Sequence, residues 1–321
     1  MKKLLTGTML MVAAFTAEAG VIRHDVDDQA YLDYAQQSQF AAVGDLLSGW
    51  GTSFYSRCSG TLIDSNMILT AAHCVDNTQF EFMNFAVGSG NYWAESWVAH
   101  ENWDGSLFSG WDIALVKLFD DVDDVAAANL YTGNSEIGQV GSHVGFGMTG
   151  NGLTGATDSS GTKRAGQNAI DATNLAGEGH DRILYNDFDA PVGTDLSTGT
   201  DLIDLPEFTY NPLGYFGYPS GNALELEISV APGDSGGALF LEENDEWYVA
   251  GVHSFGTTAG DPVNFGYGEF NGSTRVSAFT DWIASTQELL DPSEVSAPAT
   301  LLLTLSGIAL AFGSRRRKVS K

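Results

Sequence analysis

Gly233-Asp234-Ser235-Gly236-Gly237 sets one serine between glycines. Glycine permits close backbone approach and leaves N–H groups free to face a ligand, so Ser235 is a candidate nucleophile on a tight, exposed turn. A Gly-rich loop with a serine serves equally well as a plain turn, and two upstream segments carry the argument further. Thr70-Ala71-Ala72-His73-Cys74 follows Asn66-Met67-Ile68-Leu69, a short apolar run of the kind that forms a buried strand. Asp112 stands at the mouth of a second such run, Ile113-Ala114-Leu115-Val116-Lys117-Leu118. Together the segments supply a base, an orienting carboxylate and a nucleophile in the chain order His, Asp, Ser.

The same five residues satisfy G-x-S-x-G, the nucleophile elbow of α/β-hydrolases. Those enzymes carry the acid and the histidine after the serine, on repeated βαβ units. Here only His253 lies downstream, and the region before Ser235 shows short strand-like runs and many glycines instead of long helical periods. Chain order and texture argue against the elbow.

The three motifs jointly resemble the chymotrypsin/trypsin family of serine endopeptidases, from about Val43 to about Leu290. That resemblance implies an all-β fold of two antiparallel six-stranded barrels with a C-terminal helix. The expected divisions are an N-terminal extension 20–42, a first barrel 43–134, and a second barrel with its closing helix 135–290. The helical spacing of Phe279, Trp282, Ile283, Leu289 and Leu290 fits the closing helix. Gly145-Phe146-Gly147 resembles the family's glycine-aromatic strand, whereas Met148–Gly166 and Gly193–Asp204 read as surface loops rich in Gly, Thr and Ser.

Carried onto this chain, the resemblance makes His73 general base and acid, Asp112 its orienter, and Ser235 the nucleophile, with the N–H groups of Gly233 and Ser235 as oxyanion hole. It makes Asp234 the acid that pairs with a liberated N-terminal amine, which a free amine at Gly20, Val21 or Ile22 could reach. It pairs Cys58 with Cys74 in a disulfide beside the histidine. It sets Ser229 at the floor of the primary specificity pocket, where trypsin-like members carry Asp, and His253, Ser254 and Gly256 along its wall. Serine at the floor points to a neutral or apolar P1 residue. His253, in the position where glutamate-specific relatives receive a carboxylate, leaves acidic P1 as the alternative.

Lys2-Lys3, the apolar Leu4–Phe15 and Ala17-Glu18-Ala19 make a leader, residues 1–19, with cleavage expected after Ala19. Residues 291–298 form a linker containing Val295-Ser296-Ala297-Pro298, followed through 299–321 by an apolar stretch and the run Arg315-Arg316-Arg317-Lys318. This tail resembles the PEP-CTERM sorting signals that a sortase-like enzyme removes in Gram-negative bacteria. The implied location is the periplasm or cell surface, with membrane contact only through the tail. Residues 20–298 carry 40 acidic side chains against 7 basic ones, a field that excludes unassisted binding to nucleic acid. No cofactor is expected. Calcium on some of the aspartates stays open, although no D-x-D-x-D-G ladder appears. The expected partner is a protein or peptide substrate; a non-catalytic acidic interaction protein on the same fold is the alternative.

Overall fold

The computed structural model describes residues 20–175, 178–194, 212–215, 217–218, 221–257 and 265–292. The leader, residues 293–321 and most of the Gly193–Asp204 segment lie outside them.

Six strands, β2 (Val43–Trp50), β3 (Ser53–Asp64), β4 (Met67–Thr70), β5 (Phe82–Val87), β6 (Gly90–Ala99) and β7 (Ala114–Leu118), close into a barrel in the order β2-β3-β4-β7-β6-β5. β1 (Gly20–Ile22) precedes them and pairs elsewhere. Every residue of β4 and β7 is buried, Lys117 included, in keeping with their mainly apolar runs, while β6 alternates with one face in solvent. Leu46, Leu62, Ile68, Met83, Phe85 and Leu115 fill the interior. Each such side chain contributes roughly 1.5–3 kcal/mol by leaving water.

The second half contains β8 (Asn129–Leu130), β9 (Val140–Gly145), β10 (Thr149–Asn151), β11 (Gly155–Asp158), β12 (Arg164–Ala169), β13 (Ile183–Asp187), β14 (Ile228–Ser229), β15 (Ala238–Glu243), β16 (Glu246–Gly256) and β17 (Phe270–Arg275). Six of them run in a row as β12-β9-β15-β16-β17-β13, with β8 beside β16, and the row curls into a half-barrel without closing. The all-β expectation holds, with one barrel shut and its partner open. The helix Thr280–Leu290 packs Ile283 against the core.

One element differs from the reading of the sequence. Met148–Gly166, expected to be a loop, contains the β10–β11 hairpin and the start of β12. β10 and β11 are short and built of Gly, Thr, Asn, Ala and Asp, so they carry no apolar alternation to betray them. The extension 20–42 contributes β1 and the helix Asp28–Ala35, whose N-terminus is capped by Asp27 accepting from the Gln29 N–H. β1 lies parallel to β10 and antiparallel to β14. The helix is tied down by Arg164 to Asp28, by the Tyr31 hydroxyl donating to the Glu227 carbonyl, and by Tyr34 to Ser142. The N-terminal segment is thereby part of the second half of the fold.

Candidate active site

β4 ends at Thr70, and the turn Ala72–Cys74 that follows carries His73. A disulfide joins Cys74 to Cys58 of β3, with Cα atoms 6.1 Å apart, and anchors that turn to the barrel. A bridge over a loop of this length contributes roughly 3 kcal/mol against unfolding. Asp112, at the entrance to β7, is fully buried. Its Oδ1 accepts the His73 backbone N–H at 2.9 Å, and His73 Nδ1 donates to Oδ2 at 2.7 Å. Two further groups hold the aspartate: Ser254 Oγ donates to Oδ2 at 2.5 Å and Thr274 Oγ1 to the main-chain carbonyl at 2.8 Å. A carboxylate that only accepts fixes the proton on Nδ1 and turns the Nε2 lone pair outward.

Ser235 sits on a turn bounded by Gly233 (φ +100°) and Gly236 (φ +82°). A Cβ at Gly236 would lie 2.1 Å from Thr70 Oγ1 and 2.3 Å from the Ser59 carbonyl, so only glycine lets the turn press against the barrel. Ser59 knits the two halves together here: its N–H donates to the Ser235 carbonyl, its hydroxyl donates to the Gly233 carbonyl, and it accepts from the Phe146 N–H. Within the loop the N–H groups of Asp234, Gly236 and Gly237 are spent on Ala231, His253 and Asp234 carbonyls. Those of Gly233 and Ser235 donate to nothing among the described residues. His73 and Ser235 line one cavity of about 250 Å³. No Oγ to Nε2 hydrogen bond joins them; contacts of this kind tighten when substrate arrives.

The Trypsin family profile matches residues 34–169 and 220–283. The chain belongs to the trypsin family. It is 28% identical over 257 residues to chymotrypsin-C of Bos taurus, covering 72% of this chain and 78% of that protein. It is also 28% identical over 251 residues to chymotrypsin-like elastase family member 1 of Canis lupus familiaris, covering 73% and 82%. Among solved structures, HL collagenase superposes with a TM-score of 0.53 at 19% identity, over 78% of this chain and 95% of that one, a likeness of fold.

In this trypsin-family chain the electrostatics of the histidine follow from its neighbours. Burial pulls the His73 imidazolium down, but the Asp112 hydrogen bond and charge, helped by Asp76, more than offset it and leave the pKa raised. Asp234 lies behind the loop, 3% exposed, with Oδ1 accepting from the Gly147 N–H at 2.8 Å and Oδ2 from the Ala231 N–H at 2.9 Å. The Gly20 N–H is a further donor to it. Burial drives this carboxyl up to about 7 against the pull of those hydrogen bonds and of Arg164. Gly145 and Gly147 exist for its sake, since a Cβ at either would fall 2.2 or 2.6 Å from the carboxylate.

The four residues expected in the specificity pocket take different places. Val230, Ala231, Phe255, Gly256 and Phe265 form much of the cavity beside Ser235, an apolar lining. Ser229 is not among the residues lining it and is 1% exposed, its hydroxyl 3.1 Å from Asn271 Oδ1. His253 borders the cavity but is buried, stacked on His143 at 5.0 Å with Nδ1 3.4 Å from Ser273 Oγ. Burial first, and then His143, holds its pKa well below the usual value, so it is neutral at pH 7. Ser254 spends its hydroxyl on Asp112. Ser59, Thr274 and Asn271 were not singled out from the sequence, and nothing in their local pattern marks them.

Proposed function

We propose that the protein is an exported serine endopeptidase that cleaves peptide bonds through an acyl-enzyme on Ser235. The observation that carries this reading is the pairing of a tautomer-locked His73 with a loop serine flanked by two unspent N–H groups. His73 Nε2 takes the Ser235 proton as Oγ adds to the scissile carbonyl, and the developing oxyanion receives the N–H groups of Gly233 and Ser235. The proton then passes to the leaving nitrogen, the C–N bond breaks, and water deacylates the serine by the same route in reverse. The chemistry needs no cofactor. Labelling with a fluorophosphonate tests the assignment, since Ser235 alone should react.

Substrate preference follows from the lining of the cavity. With Ser229 buried and the cavity lined by apolar side chains, a neutral or apolar P1 residue fits best, and a neutral His253 offers a carboxylate little attraction. Cleavage after Arg or Lys should be a minor fraction of turnover on a peptide library. Dominant Arg cleavage overturns this assignment, and dominant Glu cleavage abolished by His253→Ala transfers it to the acidic reading.

The proposal includes a leader cut after Ala19, which leaves Gly20 as the mature N-terminus. Gly20 is the buried residue whose N–H meets Asp234, so an amine freed by that cut would set a positive charge against this carboxylate in addition to the more distant pull of Arg164. We take Asp234 as the acid that this amine engages, with the oxyanion loop held in shape by the pair. At the other end, a sortase-like enzyme cutting near Val295–Pro298 would release the body from the membrane outside the cytoplasm. Intact-mass analysis of exported protein should then find the chain ending there, without Arg315–Lys318; a mature membrane-bound form that keeps them indicates a permanent anchor.

A further inference from the structure

A cavity of about 460 Å³, larger than the one beside Ser235 and sharing no residue with it, opens where the N-terminal segment meets both halves of the fold. The end of the helix Asp28–Ala35 and the turn after it supply Ala35 and Ala41, the first barrel and the chain leaving it supply Val43 and Val125, and the second half supplies Phe146 and Lys163. No lining residue is acidic, and Lys163 is the one that carries charge.

The neighbour of Lys163 fixes its place. Arg164 opens β12 and donates to Asp28 through Nε at 2.5 Å and Nη2 at 2.6 Å, which pins the start of the helix to the strand. Lys163, one residue earlier, reaches past the end of the same helix, where Nζ donates to the Phe40 carbonyl. Phe40 is firm ground, since its buried ring packs on Tyr34, Phe240 and Trp247. An ammonium has three donors, and Phe40 takes one; the other two meet no partner among the described residues.

The charge is equally unmatched. Lys117, the other lysine of residues 20–298, is paired with Asp291 at 2.6 Å, whereas no carboxylate of the described residues comes within ion-pair distance of Lys163. Acids on the surrounding elements are engaged elsewhere: Asp28 holds Arg164, Asp33 accepts from Gln29, Asp45 holds Arg57, and Asp124 accepts from the Ser89 N–H and hydroxyl. Glu95 and Asp123 face solvent. Burial, with no acid to oppose it, lowers the Lys163 ammonium to about 8. It is therefore still charged at pH 7, and a cation drawn out of water without a counter-ion is stabilised by any anion that can reach it.

We propose that this cavity binds a small organic carboxylate with an apolar body, the carboxylate on Lys163 and the body against Val43, Val125 and Phe146. The volume suits a small ligand, and the two unpartnered donors suit the oxygens of one carboxylate. A bare inorganic anion would leave the alanine and valine walls unused. The site lies outside the catalytic cavity and does not depend on the peptidase reading.

Calorimetric titration with 4-phenylbutyrate, and with its neutral amide 4-phenylbutyramide, tests the assignment. Wild-type protein should bind the carboxylate roughly tenfold or more tightly than the amide at pH 7. Affinity for the carboxylate should fall about tenfold between pH 7 and pH 9, because Lys163 loses its charge through about 8 while the ligand stays ionised. Lys163→Gln should weaken carboxylate binding to the level of the amide. Asn91→Trp, placed on the exposed rim of the cavity and away from Lys163, should weaken both. In protein labelled with 13Cε-lysine, the Lys163 resonance should move on titration and that of Lys117 should not. Absence of binding to wild-type protein, or equal affinity for carboxylate and amide, overturns the proposal without any variant having to fold. Binding that persists unchanged in both variants sets the ligand elsewhere and overturns it as well.

Discussion

Asp112→Asn should lower kcat about 10,000-fold while leaving the protein folded. Asparagine keeps the shape of the buried side chain, but it replaces one acceptor oxygen with an N–H donor. Because Asp112 accepts from the His73 N–H, from His73 Nδ1 and from Ser254, an amide there forces His73 to present a lone pair at Nδ1 and to carry its proton on Nε2. A histidine in that tautomer cannot accept from Ser235. The pH profile gives a second reading of the same contact. The base must be neutral, so kcat/KM rises with pH through the His73 pKa, which Asp112 holds above its usual value of 6.5. Residual activity of the variant should therefore have its acid limb at lower pH than wild type. An unchanged limb separates the two groups electrostatically and contradicts the contact.

Extending the mature N-terminus by a few residues before Gly20 should cost roughly 100- to 1000-fold in kcat, the loss that follows removal of one oxyanion donor. The extension replaces an ammonium with a neutral amide beside a carboxylate that burial already strains. On the proposed cut after Ala19 the amine would gain Asp234 as partner, and its pKa should then rise above the ordinary value of about 8. A group whose folded pKa is raised contributes fully below its unfolded pKa and is lost as pH rises through the folded one. Activity should accordingly fall on the alkaline side through that raised pKa, reversibly. A protein purified with extra residues before Gly20 and full activity would show that Asp234 is satisfied without the amine.

The candidate site was more legible in the sequence than the framework that supports it. His73, Asp112 and Ser235 each sit in a local motif, a histidine after an apolar strand, an aspartate before one, a serine among glycines, and such signals survive without knowledge of the fold. The disulfide partners were equally plain, being the only cysteines in the chain. Pairings that span the sequence were not. Gly20 meets Thr149 across more than a hundred residues in a parallel bridge, and a three-residue strand carries too little periodicity to announce it. The helix Asp28–Ala35 buries only Tyr31 and Ala35, one turn apart, so it lacks an apolar stripe. Ser229 shows a different limit. Its place relative to Ser235 was readable, yet whether its hydroxyl faces a substrate depends on Asn271, forty-two positions away on β17. Asn271 lies in a polar run, Asn271-Gly272-Ser273-Thr274, that alternates poorly as a strand.

Mass spectrometry of the fluorophosphonate-treated mature protein tests Ser235 as nucleophile most directly. One adduct per chain is expected, on the tryptic or chymotryptic peptide that contains Gly233-Asp234-Ser235-Gly236-Gly237, with peptide hydrolysis lost in step and both absent in a folded Ser235→Ala variant. An adduct on another serine, or undiminished hydrolysis by Ser235→Ala, would contradict it.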